Sequence, residues 1–253
     1  MISVVILGTG NVAQNLFEAL IGTNDINIIE VVGRSDDSLS YFQRKSKVST
    51  DWDNPPKADI YIIAVTDDAI KEVSDKINVS GLVVHTSGSV SLSTLSKHKK
   101  RGVFYPLQTF TSGKLIDFNE VPLCLETHRK KDFKILNTLG GKISSNVQVI
   151  DSEKRRVLHV AAVFVNNFTN YMYSIGNDIC SASDLDFSIL YPLIRETANK
   201  IEYLSPYSAQ TGPAKRNDLD TLHKHLNFLK DKKQRAIYKL LSNAIKASNE
   251  KEL

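Results

Sequence analysis

Residues 2–13, ISVVILGTGNVA, constrain the chain most: an apolar run of strand length breaks at Gly8-Thr9-Gly10 and passes into a helical pattern near Asn11. A strand, a glycine turn and a helix N-terminus in that order form the opening of a dinucleotide-binding βαβ unit. Each small residue has a mechanical task there. Gly8 allows the tight turn, Gly10 lets the backbone approach a pyrophosphate, and Ala13 permits close packing of helix on strand. The helix contributes free N–H groups and the positive end of its dipole.

The next apolar run, Ile28 to Val32, ends about 20 residues past the turn, where an acidic residue would hold a ribose 2′-hydroxyl. The chain reads Gly33-Arg34-Ser35 at that place. A guanidinium and a hydroxyl suit a 2′-phosphate, which favours NADP over NAD. Glu30 just upstream and Asp36 and Asp37 just downstream pull the other way, and a solvated arginine on a surface turn is the plain alternative.

From residue 1 to 150, apolar runs at 2–7, 28–32, 59–65, 81–85, 102–105, 121–125 and 147–150 alternate with helical stretches. That alternation predicts an α/β fold with a doubly wound, mostly parallel sheet. From 151 to 253 the pattern changes to helical segments at 152–180, 185–202, 218–230 and 233–248, which predicts an all-helical C-terminal domain. With 42% hydrophobic and 24% charged residues the chain has the balance of a soluble globular protein. No signal-peptide pattern opens it and no apolar run approaches the ~20 residues that span a bilayer, so a cytoplasmic location without membrane attachment is expected. Cys124 and Cys180 lack metal-ligand spacing and are expected to be free thiols, with no metal site. The net charge of +4 includes a basic run, Lys97-His98-Lys99-Lys100-Arg101, which reads as a solvated helix end; no nucleic-acid-binding motif accompanies it.

Ligands of doubly wound sheets lie beyond the carboxyl ends of the strands. Those ends carry Gly8–Gly10, Gly33–Ser35, Thr66-Asp67-Asp68, Thr86-Ser87-Gly88-Ser89 and Tyr105-Pro106-Leu107-Gln108-Thr109. The expected cofactor contacts are Gly8, Thr9, Gly10, Asn11, Val12, Gly33, Arg34, Ser35, Val65, Thr66 and Asp67. Ser87, Ser89 and Gln108 are candidates for binding substrate, although Ser87 and Ser89 also suit a helix cap. Gln210, Thr211 and Arg216 join the substrate candidates from a breaker segment between helices; Arg216 can equally pair with Asp218. On a uniform α-helix over 155–175, His159 and Asn170 lie eleven residues and about 20° apart, with Asn166 on the same stripe and Asn167 close by. His159 then reads as a general acid or base, with Asn167 and Asn170 orienting substrate or nicotinamide, or all three satisfy interhelical contacts. Glu196 is a further ionisable group, with an ion pair to Lys200 as its plain reading.

The motifs GTGNVA, VVGRS, HTSGS (85–89), FYPLQTF (104–110), LHVAAVFVNNFTN (158–170), PLIRETANK (192–200) and AQTGPAKRND (209–218) together resemble the Rossmann-like proteins with a C-terminal DUF2520 domain, often labelled provisionally as NADP oxidoreductases. The resemblance runs over essentially the whole chain. It implies a nucleotide-binding domain, a helical domain supporting a homodimer, and a small-molecule site in the cleft between them. More distantly the chain resembles pyrroline-5-carboxylate reductases, β-hydroxyacid dehydrogenases and F420-dependent NADP oxidoreductases. It departs from the hydroxyacid dehydrogenases in lacking their Lys-x-x-x-Asn pair, since His159 is followed by Val163. It also lacks the serine- and glycine-rich segment of the proline-forming reductases. These features predict hydride transfer to or from a small carbonyl, imine or hydroxyl carbon, with an NADP-binding sensor or regulatory dimer, or a structural dimer, as alternatives.

Overall fold

The computed structural model describes residues 1–250. Eight strands form one sheet: β1 (Ile2–Leu7), β2 (Ile26–Val32), β3 (Val48–Ser49), β4 (Ile60–Ile63), β5 (Leu82–His85), β6 (Arg101–Pro106), β7 (Leu123–Thr127) and β8 (Val147–Val149). Their order is β3-β2-β1-β4-β5-β6-β7-β8, so the winding reverses between β1 and β4. That reversal opens the crevice in which doubly wound sheets bind ligands. All neighbours are parallel except β6 and β7, which pair antiparallel from Gly102↔Thr127 to Pro106↔Leu123. Residues 107–122 between them contain no helix, and an antiparallel neighbour needs no helical crossover.

The strands read as unbroken apolar runs because helices cover both sheet faces. In β1, Val4 and Ile6 enter one core with Leu16 and Phe17 of α1 (Asn11–Leu20), joined by Leu136 and Leu139 of α4 (Lys130–Gly141). Val5 and Leu7 enter the other core, with Ile70 and Val73 of α3 (Ile70–Lys76). A one-turn α2 (Asp36–Leu39) follows β2.

The basic run is solvated only in part: Lys97, Lys99 and Lys100 are exposed after a 3₁₀ turn at Leu92–Leu95. Lys97 donates to the carbonyls of Asp75 and Ile77, closing the C-terminus of α3, and His98 is buried against the Ser74 carbonyl at 3.0 Å. Arg101 already belongs to β6. Orphan carbonyls at a helix end attract such cations.

The chain divides into two compact units, Met1–Asn167 and Phe168 onward. The first therefore includes α5 (Ser152–Ala162), capped by Asp151, together with most of a π turn over Val163–Phe168. Arg155 explains why α5 groups with the sheet: its guanidinium is fully buried and donates to Glu126 of β7 at 2.6 Å and to the Val90 carbonyl. The second unit contains α6 (Thr169–Ser181), α7 (Tyr191–Asn199), α8 (Pro206–Ala209), α9 (Leu219–Phe228) and α10 (Lys232–Glu250). The segment expected to be one helix over 185–202 is α7 flanked by 3₁₀ turns at Phe187–Leu190 and Lys200–Glu202. Lys200 donates to the Ala209 carbonyl at 2.8 Å, and no Glu196–Lys200 ion pair forms among the described residues. Cys124 is buried and Cys180 half-buried, both free. No described helix is long and apolar enough to cross a membrane.

Candidate active site

Gly8 has φ +129°, outside the range that side chains tolerate, and a Cβ there would stand 2.1 Å from the Ala64 carbonyl oxygen. The chain can thus leave β1 and turn beneath β4 only with glycine at this position. Gly10 has φ −74° and ψ −177°, ordinary extended backbone, and a Cβ there would meet nothing within 4 Å. Its space belongs to a cavity of about 610 Å³ that also touches Thr9, Asn11 and Val12. No side chain caps the N-terminus of α1, and its first turn holds no acidic residue. By contrast α5 and α9 are closed by Asp151 and Asp218. The open N–H groups of α1 and the space above Gly10 fit a pyrophosphate.

Arg34 and Trp52 line the same cavity, with Glu72, Val73 and Lys76 of α3. The Trp52 indole N–H donates to the Gly33 carbonyl at 3.0 Å. Gly33 itself is a packing position, where a Cβ would lie 2.8 Å from both Leu39 and Thr9 side chains. The Ser35 hydroxyl accepts from the Ser38 backbone N–H in a reciprocal capping box at the start of α2, and Ser35 does not line the cavity. Val65 and Thr66 do line it, whereas Asp67 accepts a hydrogen bond from the Ser89 hydroxyl.

Gln108, Thr109 and Phe110 line it as well, with Asn166 and Asn167. Asn11 ties this loop to the glycine turn by donating to the Phe110 carbonyl at 3.0 Å. Asn166 and Asn167 lie within the π turn, so the uniform α-helical spacing that aligned His159 with Asn170 does not run through this segment. Asn170 belongs to the other unit.

His159 meets Tyr105 at the end of β6. Nδ1 and the phenol oxygen share a hydrogen bond of 3.2 Å, and the rings meet edge to face. Burial raises the Tyr105 phenol to about 12, so it keeps its proton at neutral pH. Gly88 makes this contact possible, because a Cβ there would lie 2.6 Å from His159 Nδ1 and 2.7 Å from Tyr105 Cζ. The imidazole is thereby oriented through Nδ1, with Nε2 as its second site for proton exchange. Ser87 serves the turn itself, accepting from the backbone N–H of Ser89 at 3.1 Å and of Val90 at 3.0 Å. Gln210, Thr211 and Arg216 lie in the helical unit. Gln210 donates to the Thr211 carbonyl at 2.9 Å and lines a separate cavity of about 260 Å³ with Tyr207 and Lys215. Arg216 is close enough to Asp218 to help hold its carboxyl low, after the hydrogen bonds from Thr221.

The sequence places Tyr105 at a strand end without giving it a role, and it gives no sign of Trp52, Glu72 or Lys76. FYPLQTF contains Tyr105 but does not reveal its partner 54 residues away. Trp52, Glu72 and Lys76 reach the cavity from elements beyond the glycine turn, for which local spacing provides no signal.

Residues 121–245 match the family model for the domain of unknown function DUF2520, and residues 3–87 match the model described as NADP oxidoreductase, coenzyme F420-dependent. No curated protein matches the chain. Among solved structures, a Bacteroides fragilis protein provisionally described as an NADP oxidoreductase is 35% identical, with 97% of this chain and 98% of that one covered and a TM-score of 0.88. A Thermotoga maritima protein shares the fold at 22% identity, with 98% and 99% covered and a TM-score of 0.74. The Plasmodium falciparum pyrroline carboxylate reductase, solved with NADP bound, shares it at 13% identity, with 98% of each chain covered and a TM-score of 0.62. With its glycine turn, its eight-stranded Rossmann-like sheet and its helical C-terminal part, the chain belongs to the Rossmann-type, DUF2520-containing family grouped with the NADP oxidoreductases.

Proposed function

We propose that the protein is an NADP(H)-dependent oxidoreductase that moves a hydride to or from a carbonyl, imine or hydroxyl carbon of a small substrate. The carrying observation is the cavity above Gly10, which is lined by the uncapped start of α1, the guanidinium-bearing Arg34 and the two carboxamides of Asn166 and Asn167. Gly8–Val12 would hold the pyrophosphate, Arg34 the 2′-phosphate, and Asn166 or Asn167 the nicotinamide carboxamide. The nicotinamide, when bound, supplies or accepts the hydride. The bound NADP of the Plasmodium relative supports the same cofactor assignment.

The protein's own part is orientation and proton supply. Tyr105 fixes the ring of His159, and His159 delivers a proton from Nε2 to the oxygen or nitrogen of the substrate during reduction, or removes it in the reverse direction. Purified protein is expected to bind NADPH more tightly than NADH and to oxidise it with at least one member of a panel of carbonyl and imine compounds. His159→Gln is expected to lower turnover on the order of 10²-fold while leaving NADPH affinity nearly unchanged. Absence of NADPH binding would remove the assignment, and full turnover in the variant would remove only the role of His159.

The helical unit supports self-association. Among its described apolar side chains only Ala209, Ala214, Leu222 and Leu229 are buried, whereas Tyr171, Leu193, Phe228 and Leu240 are exposed. So little burial cannot offset the ordering entropy of five helices, and exposed apolar surface of this kind is normally covered. Light scattering on the full chain is expected to give the mass of two copies; a monomer at micromolar concentration would refute the dimer.

A further inference from the structure

Selection of a 2′-phosphate is usually sought in the loop after β2. Of that loop Arg34 lines the cavity, whereas Ser35 caps α2 and does not line it. Asp36 and Asp37 follow it at once, in the first turn of α2. On the same cavity, α3 presents Glu72 and Lys76 one turn apart, with Lys76 Nζ 2.7 Å from Glu72 Oε1. An unpaired carboxylate on that wall would repel a phosphate and favour a ribose diol. Lys76 cancels that repulsion, and the pair is easily broken because its side chains are 47% and 68% exposed. A phosphomonoester brings close to two negative charges and three acceptor oxygens, so it competes well for the ammonium.

We propose that Lys76 is a specificity-determining residue: it leaves Glu72 to bind the 2′-phosphate together with Arg34, and the Glu72–Lys76 pair is its resting position. The inference rests on the NADP reading above and adds a residue more than 60 positions beyond the glycine turn, on a different helix. Trp52 lines the same cavity and is the chain's single tryptophan, so its fluorescence reports occupancy without any substrate.

The test titrates adenosine 2′,5′-bisphosphate and adenosine 5′-monophosphate, which differ only in the 2′-phosphate, into the full-length protein and its Lys76→Gln and Glu72→Gln variants. Calorimetry is run beside Trp52 fluorescence, and thermal unfolding checks each variant's fold. Wild type is expected to prefer the bisphosphate. Lys76→Gln is expected to lose about tenfold in affinity for it, the loss of one charge-assisted contact, with less than about twofold change for the monophosphate. Glu72→Gln is expected to bind the bisphosphate more tightly, because Lys76 is no longer held. If wild type prefers the bisphosphate and Lys76→Gln keeps that preference, Lys76 has no such role. Equal weakening of both ligands by Lys76→Gln overturns it as well. If wild type binds both alike, the 2′-phosphate reading itself fails, and the role of Lys76 with it.

Discussion

Gly10→Val is expected to preserve the fold and abolish nucleotide binding, whereas Gly8→Ala, the smaller change, is expected to destabilise the protein itself. The difference follows from two glycines two residues apart that do different physical work. At Gly10 the backbone is extended and open space lies where a Cβ would stand, so a side chain meets no protein atom and projects into the cavity. The fold loses only the preference of a helix N-cap for glycine over a branched residue, up to about 1 kcal/mol. The pyrophosphate loses its approach to the backbone, and affinity for NADPH should fall by more than about 100-fold, or about 2.7 kcal/mol. At Gly8 an added methyl meets the Ala64 backbone at 2.1 Å in a conformation with φ +129°, and neither β1 nor β4 can yield without disturbing both cores. A cost of about 3 kcal/mol or more is expected in urea or thermal unfolding. Tight NADPH binding by Gly10→Val would show that the nucleotide lies elsewhere, and wild-type stability in Gly8→Ala would show that the turn relaxes freely.

Local chemistry makes these glycines legible in the sequence alone. A backbone that must turn sharply beneath a neighbouring strand admits few residues, and an apolar run that is buried on both faces has few alternatives to a central strand. The same locality set the limit. Arg155 and Arg156 are adjacent and chemically identical, yet only Arg155 falls on the face of α5 that also carries Leu158 and His159, and only Arg155 is buried. Ser35 fits the nucleotide by position, but its hydroxyl accepts from the backbone three residues on and it does not line the cavity. The stripe joining His159 to Asn170 assumed one periodicity, and the six-residue π turn changes it while bringing Asn166 and Asn167 to the cavity wall. In each case the deciding contact is made after the chain has folded. The pairing of Tyr105 with His159 across Gly88 is of this kind, since none of the three residues implies the other two.

Arg155 leads to the second large effect, because its environment offers a buried charge no substitute for the partners it has. The guanidinium donates to Glu126 at 2.6 Å, to the Ser152 hydroxyl at 3.2 Å and to the Val90 carbonyl, joining α5, β7 and the turn after β5. Arg155→Met fills similar space but leaves Glu126 as an unpaired carboxylate, a loss of about 3–5 kcal/mol for a pair of this burial. Adding Glu126→Gln should recover part of that loss in a double-mutant cycle; additivity would show that the two side chains do not interact. His85 gives the pH dependence of the same region. Burial first, and the charge of Arg155 second, lower its imidazole from 6.5 to about 3, while Nδ1 accepts the Ser87 backbone N–H at 3.2 Å. The unfolded chain takes up this proton near pH 6.5 and the folded one does not until about pH 3. The stability contribution is therefore complete above pH 6.5 and falls with pH by about 1.4 kcal/mol per unit through that interval. His85→Asn keeps an acceptor for the Ser87 N–H and should flatten this part of the profile relative to wild type. Because desolvation outweighs the charge of Arg155, the slope should persist in Arg155→Met even though the whole curve is lower. Equal slopes in wild type and His85→Asn would place the titration on another group.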